Sequence, residues 1–322
     1  MIICIGPRRQ LANLGHLTPD FPAMVGHTYA WLFRTPVLPA ATYLFWHIDR
    51  LDPAERRIAA KFYRHINGLG QGFRALNDPA RAKGRLGVLE TLNRAGINQF
   101  AAYAVADGTM PARYPVFLRR NTMSTPILTG LIADEAALRQ EIDRLVAQGE
   151  PEDDLLVIEY AAEPMRGEIF RKMGVHRIGD AYIPYVNLYE RNWIVNDGEP
   201  LLLTHEDHLA DQALLHDFPY LDMARRAFEL CHIEYGRLDF GLVGGIAQVY
   251  EINFNPHLRR MISKKTDPDP VRRANMSWVD GEKIKALHAL DGGGRGSAPT
   301  LNLPELLRFR LMPWRNYAPE RY

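Results

Sequence analysis

Three oxygen-bearing side chains near the end of the chain have the types and spacing for metal and phosphate chemistry: Asp239, Glu251 and Asn253. They lie in Arg237-Leu238-Asp239-Phe240-Gly241-Leu242-Val243 and Ile246-Ala247-Gln248-Val249-Tyr250-Glu251-Ile252-Asn253, two β-rich runs flanking Gly244-Gly245. A Gly-Gly pair between such runs predicts a hairpin. Glu251 and Asn253 are two apart and so share one face of their strand. Asp, Glu and Asn supply the hard oxygen ligands that Mg²⁺ prefers, and Mg²⁺ is commonly held by few protein ligands together with substrate phosphates.

Register decides whether Asp239 can join them. A strict two-residue turn pairs Val243 with Ile246 and sets Tyr250 opposite Asp239, which puts the two carboxylates on opposite faces. A shared face requires a three-residue loop or a bulge, and that register sets Asp239 opposite Glu251. A plain hairpin with polar residues turned to water would carry the same side chains.

Other candidates carry less. His205-Glu206-Asp207-His208 lacks the spacing of the His-Glu-x-x-His zinc motif and reads as a solvated loop or helix start. Gly68-Leu69-Gly70-Gln71-Gly72 follows no clear strand and does not match Gly-x-Gly-x-x-Gly. Cys4 and Cys231 give neither a disulfide framework nor metal-ligand spacing. Lys83, in the first turns of a helix, is by default solvated. Arg171, Lys172 and Arg177 concentrate charge in an apolar context, Trp193 reads as a packing anchor, and His257 follows Asn255-Pro256 directly.

The elements that must position these residues follow from local signals. Residues 2–6 and 41–46 read as buried strands. Asp52 caps a helix with Pro53 at its first position, running to about residue 66. A second helix opens at Asn77-Asp78-Pro79 and runs through Leu92, strands follow at 99–105 and 115–120, and Asp134 opens another helix. Residues 155–160 form an apolar strand, 169–195 a β-meander, and 220–231 a helix leading into the hairpin. Asp267-Pro268-Asp269-Pro270 and Gly292-Gly293-Gly294 read as linkers, and 308–322 as a surface tail.

With 322 residues, 47% hydrophobic and 24% charged, the chain has room for two or three packed units. A net charge of +1 leaves no electrostatic footprint for nucleic acid. No stretch approaches the roughly 20 apolar residues of a membrane span, and the N-terminal apolar run is cut off by Arg8 and Arg9, unlike a signal peptide. Cysteine usage fits a reducing, cytoplasmic setting.

The series Asp239…Glu251-Ile252-Asn253-x-Asn255-Pro256 resembles the C-terminal signature of the ATP-grasp enzymes, which include D-alanine–D-alanine ligase, glutathione synthetase and glutamate ligases of protein tails. The resemblance covers roughly residues 76 to 260, and only this final motif is specific by itself. It implies ATP as cofactor and Asp239, Glu251 and Asn253 binding Mg²⁺ ions that bridge its phosphates. By the same likeness, Lys83 reaches the nucleotide and Arg119, on the strand 114–120, stands where a second phosphate-binding cation does. Glu159 and Tyr160 end the strand whose backbone reads adenine, and Glu163 or Glu168 is the ribose acid. Arg171 faces the transferred phosphate and, with Asn255, belongs to the catalytic group. Two departures stand out: the second cation is normally a lysine, and Asn121-Thr122-Met123-Ser124-Thr125-Pro126 replaces a glycine-rich loop.

The implied fold is α+β: a small N-terminal α/β domain (1–75), two ATP-grasp subdomains clasping ATP (76–160 and 161–265) and a C-terminal extension (266–322). The implied reaction joins a small-molecule or peptide carboxylate to an amine or other nucleophile through an acyl phosphate. A phosphotransferase, or a degenerate ATP-binding protein, uses the same nucleotide site. No nucleic-acid or membrane partner is expected, and a homo-oligomer is possible.

Overall fold

The computed structural model describes residues 1–307 apart from 13, 15, 16, 18, 123, 124, 197, 200, 201, 255, 257 and 259–268. Helices and sheets alternate and then segregate along it, giving the α+β fold expected from the sequence.

The first unit contains β1 (Ile2–Ile5), α1 (Arg8–Leu11), β2 (Met24–His27), α2 (Tyr29–Arg34), β3 (Val37–Pro39), β4 (Thr42–Phe45), α3 (Pro53–Gly68) and β5 (Arg74–Leu76). Four of its strands form an all-parallel sheet in the order β2-β1-β4-β5. Every residue of β1 and β4 is buried, as expected for strands covered on both faces. α3 starts where the sequence predicts. The Asp52 side chain accepts from the Ala54 and Glu55 backbone N–H groups, Glu55 reaches back to the Asp52 N–H, and Pro53 sits in the first turn. Ile58, Phe62 and Ile66 of α3 then pack into the core.

The second unit holds α4 (Arg85–Arg94), β6 (Ala102–Ala104), β7 (Val116–Arg120), α5 (Glu135–Ala147) and β8 (Leu155–Glu159). Its three strands form an antiparallel sheet in the order β6-β8-β7. The helix expected from Asn77 starts later, at Arg85. Asn77 instead takes a left-handed conformation (φ 65°), and its buried side chain joins distant strands. Its Nδ2 donates to the carbonyls of Phe45 (3.2 Å) and Tyr235 (2.9 Å), and its Oδ1 accepts from the Glu234 and Tyr235 N–H groups.

The third unit contributes β9 (Pro164–Arg166), β10 (Ile169–Ile178), β11 (Ala181–Glu190), α6 (His205–His216), α7 (Leu221–Leu230), β12 (Tyr235–Val243) and β13 (Ile246–Asn253). Its antiparallel sheet has the order β11-β10-β12-β13, with β9 added to β10. Thr204 caps α6, so His205 and His208 occupy its first turns. One hydrophobic core runs from the first unit into this sheet, joining Ile3, Tyr43 and Phe45 to Val175, Phe228, Leu238 and Phe240.

The segment read as linker before residue 270 contains a helix start. The Asp269 side chain accepts from the Val271 and Arg272 N–H groups and Pro270 opens the 21-residue α8 (Pro270–Leu290). α8 is integral to the fold: Val279 and Leu287 share a core with Ile178, Ile183 and Tyr235. A final strand, β14 (Ser297–Pro299), pairs with β3. Among the described residues, no helix is long and apolar enough to cross a membrane.

Candidate active site

The hairpin β12–β13 solves its register by the bulge. Gly244 and Gly245, both at positive φ (55° and 78°), make the two-residue turn and pair Val243 with Ile246. The register then shifts: Phe240 pairs with Val249 and Asp239 with Glu251, so Tyr250 is the extra residue. Beyond it Arg237 pairs with Asn253. One face of the hairpin therefore presents Arg237, Asp239, Glu251 and Asn253 together. Tyr250 donates from its hydroxyl to the Ala161 carbonyl, tying the bulge to the segment after β8.

Each carboxylate meets cations. Arg237 forks onto Asp239, Nε to Oδ1 at 2.6 Å and an NH2 to Oδ2 at 2.7 Å, and Lys172 Nζ stands 3.9 Å from Oδ2. Glu251 Oε2 lies 3.0 Å from an Arg85 nitrogen and 3.5 Å from one of Arg119, while its Oε1 accepts from the Asn253 amide at 2.8 Å. Arg85 enters from the first turn of α4; its side chain is fully buried and also donates to the Arg120 and Thr122 carbonyls. Burial alone would raise the Glu251 pKa, but Arg85 and Arg119 hold it down at about 2. Burial and the neighbouring Arg85 lower the Arg119 guanidinium to about 10.

These groups open onto a cavity of about 340 Å³ between β7–β8 and β10, with the hairpin at its side. It is lined by a charged cluster (Arg119, Arg171, Lys172, Asp239, Glu251) and an aromatic one. In the latter Trp193 lies 4.9 Å from the Phe117 ring centroid and 5.5 Å from that of Tyr160. Among the sequence-derived candidates, Arg119, Glu159, Tyr160, Glu163, Arg171, Asp239 and Glu251 line this cavity. Asn253 touches it through Glu251. Glu159 is buried and engaged by Arg113, the Tyr103 hydroxyl and the Ala101 N–H; Glu163 accepts from the Gly244 N–H. Two candidates lie elsewhere. Lys83 sits in the turn before α4, its N–H on the Cys231 carbonyl, and Glu168 is exposed in the turn between β9 and β10. Asn255 lies outside the described residues.

Arg85 and Arg237 complete the cluster beyond the residues expected from the sequence, and Lys172 joins it from the charged run at 171–177. Arg237 was legible, since it sits two residues before Asp239 on the same strand face. Arg85 had no such signal.

No family model and no curated protein matches the chain. Several solved structures are similar to it. One is D-alanine–D-alanine ligase from Bacillus anthracis complexed with ATP, 12% identical, covering 88% of this chain and 99% of that one with a TM-score of 0.45. Another is the D-alanine–D-alanine ligase from Coxiella burnetii, 10% identical, covering 90% and 97% with a TM-score of 0.47. A RimK domain protein ATP-grasp from Sphaerobacter thermophilus is 18% identical, covering 87% and 99% with a TM-score of 0.42. At such identities and scores these likenesses carry no chemistry across, and what the site can do depends on its own side chains.

Those side chains fit a resident Mg²⁺ poorly. Both Asp239 oxygens and Oε2 of Glu251 are held by guanidinium groups, and Oε1 by an amide N–H. A divalent ion bound to those oxygens would stand about 4 Å from fixed arginines. There even unit charges repel by roughly 4 kcal/mol at an effective dielectric near 20.

Proposed function

We propose that the chain is an ATP-dependent ligase of the ATP-grasp kind, joining a carboxylate to an amine. The observation that carries this is a cavity in which an aromatic cluster adjoins a cluster of cations. Trp193, Phe117 and Tyr160 offer π-faces to a purine, and Arg119, Arg171 and Lys172 offer donors to its phosphates. Sequence order adds support, since the resemblance to ATP-grasp enzymes assigns the same strands to nucleotide binding.

In the proposed reaction a carboxylate oxygen of the first substrate attacks the γ-phosphorus of ATP. The bond to the bridging oxygen breaks, and ADP departs with the electron pair. The acyl phosphate is then attacked at carbon by the amine; phosphate leaves and the amine's proton passes to solvent or to the phosphate. The chain's own work is positioning and charge neutralisation: Arg119, Arg171 and Lys172 hold the transferring phosphoryl group, and Asp239 and Glu251 fix the cations around it.

The guanidinium groups saturating Asp239 and Glu251 favour a second reading, an ATP-binding protein without turnover. Phosphate release from ATP, measured against a panel of carboxylates and amines offered singly and in pairs, separates the two. Release that requires both co-substrates supports the ligase. A stable phosphorylated product from one substrate points to phosphotransfer, and ATP binding with no release under any pair leaves the binding protein.

A further inference from the structure

We infer that this site takes the polyphosphate directly on its own cations, with no divalent ion bridging it to Asp239 and Glu251. The inference rests on the nucleotide reading above and concerns how the anion is held.

Charge balance is the first support. Arg85, Arg119, Lys172 and Arg237 contact the two carboxylates, so the cluster carries a formal +2; on the cavity wall Arg171 and Glu163 offset each other, and Glu159 is paired with Arg113. A site built to hold a cation would have the opposite sign. The surplus suits an anion with several charges.

Mobility is the second. A metal could claim Asp239 or Glu251 only if the arginines withdrew. The Arg85 side chain is fully buried, and its second terminal nitrogen is committed to the carbonyls of Arg120 and Thr122, so leaving Glu251 would strand its charge in the interior. Arg237 is fixed from two sides, forked on Asp239 and lying 4.9 Å from the centroid of the Tyr185 ring. The acids thus act as anchors that aim guanidinium groups, and their oxygens are already used.

The third is an under-used donor. Arg119 Nε is buried without a hydrogen-bond partner, and its NH2 makes only long contacts, 3.3 Å to the Thr125 carbonyl and 3.5 Å to Glu251. Its side chain is 13% exposed and lines the cavity. With its side chain partly exposed to the cavity and an NH2 held only at long range, Arg119 can donate to a phosphate oxygen there.

The test is calorimetric titration of the full chain with ATP in EDTA and in millimolar Mg²⁺, with inorganic tripolyphosphate in EDTA as a second probe. The expected result is ATP binding in EDTA at least as tight as with Mg²⁺, and tripolyphosphate binding without metal. Arg119→Gln should weaken both EDTA titrations at least tenfold. ATP binding that falls more than tenfold in EDTA and returns with Mg²⁺ overturns the inference while upholding the nucleotide reading. Tripolyphosphate binding in EDTA without any ATP binding upholds the anion site and overturns the nucleotide reading. Binding of neither probe overturns both.

Discussion

Replacing Arg85 tests whether the charged cluster is a structural unit. Arg85→Met keeps the length of the side chain and removes the charge and its donors. Glu251, largely buried, would then keep only Arg119, 3.5 Å away, as a cation beside the Asn253 amide, and the Arg120 and Thr122 carbonyls would each lose a donor. Removing one partner of a buried pair costs about 3–5 kcal/mol. The cost should be about 4 kcal/mol, or a drop in Tm of about 6 °C for a chain of this size. Glu251→Gln should also destabilise, by about 2–3 kcal/mol, because it leaves the neighbouring Arg85 and Arg119 to repel each other. In the double variant each loss removes the reason for the other, so the combined cost should fall short of the sum by about 2 kcal/mol. Urea unfolding followed by tryptophan fluorescence and circular dichroism measures all four corners of the cycle. Additivity within 0.5 kcal/mol, or an Arg85→Met variant as stable as the parent, would refute the argument that Arg85 is fixed on Glu251.

Three further outcomes are expected. Trp193→Ala should raise the Kd for ATP by about tenfold or more, since base–aromatic stacking contributes about 1–3 kcal/mol, while tripolyphosphate binding stays unchanged; equal losses for both ligands would place the indole away from the base. Asn77→Ala should cost at least 3 kcal/mol in urea unfolding, through four broken buried hydrogen bonds and a left-handed backbone, and Asn77→Gly should recover only the backbone share. Burial lowers the His47 pKa to about 4, so His47 stays neutral in the fold while its unfolded counterpart takes up a proton below about 6.5. Stability should therefore be full above pH 6.5 and fall with acid, by about 2 kcal/mol by pH 5. His47→Asn, which tolerates the positive φ there, should flatten that limb of the stability–pH curve.

The hairpin was legible because its signal is local: Gly-Gly between β-rich runs, and an odd count of residues that only a bulge or longer loop could reconcile with a shared face. The helix start at 270 was not, because Asp-Pro marks a linker and a helix N-terminus equally well. Periodicity could not rescue it, since the buried side of α8 carries Arg272, Asn275, Asp280 and Lys283 among its apolar residues. Asn77 deceived for a related reason. Asparagine favours both helix caps and left-handed backbone, and only partners in β4 and β12 select the second. Lys83 and Arg85 sit two residues apart at a helix entrance, and which one turns inward depends on carbonyls contributed by residues 120 and 122. Trp193 was read as packing, and it does pack, against Phe117 and Tyr160; that its surface also lines a cavity depends on the distance between two sheets.

The Asn77 side chain has a consequence for the order in which the protein is made. Its partners at Glu234 and Tyr235 are synthesised 157 and 158 residues later. At roughly 5–20 residues per second, that is a wait of about 8–30 s. Throughout it α2 and α3 can already cover one face of the parallel sheet, but Ile2, Cys4, Leu44 and Leu76 on the other lack Val279 and Leu287 of α8, with which they share a core. Strands β1, β4 and β5 thus keep part of an apolar face uncovered until the last third of the sequence arrives. On the ribosome the parallel sheet is closed by a helix made long after its own strands.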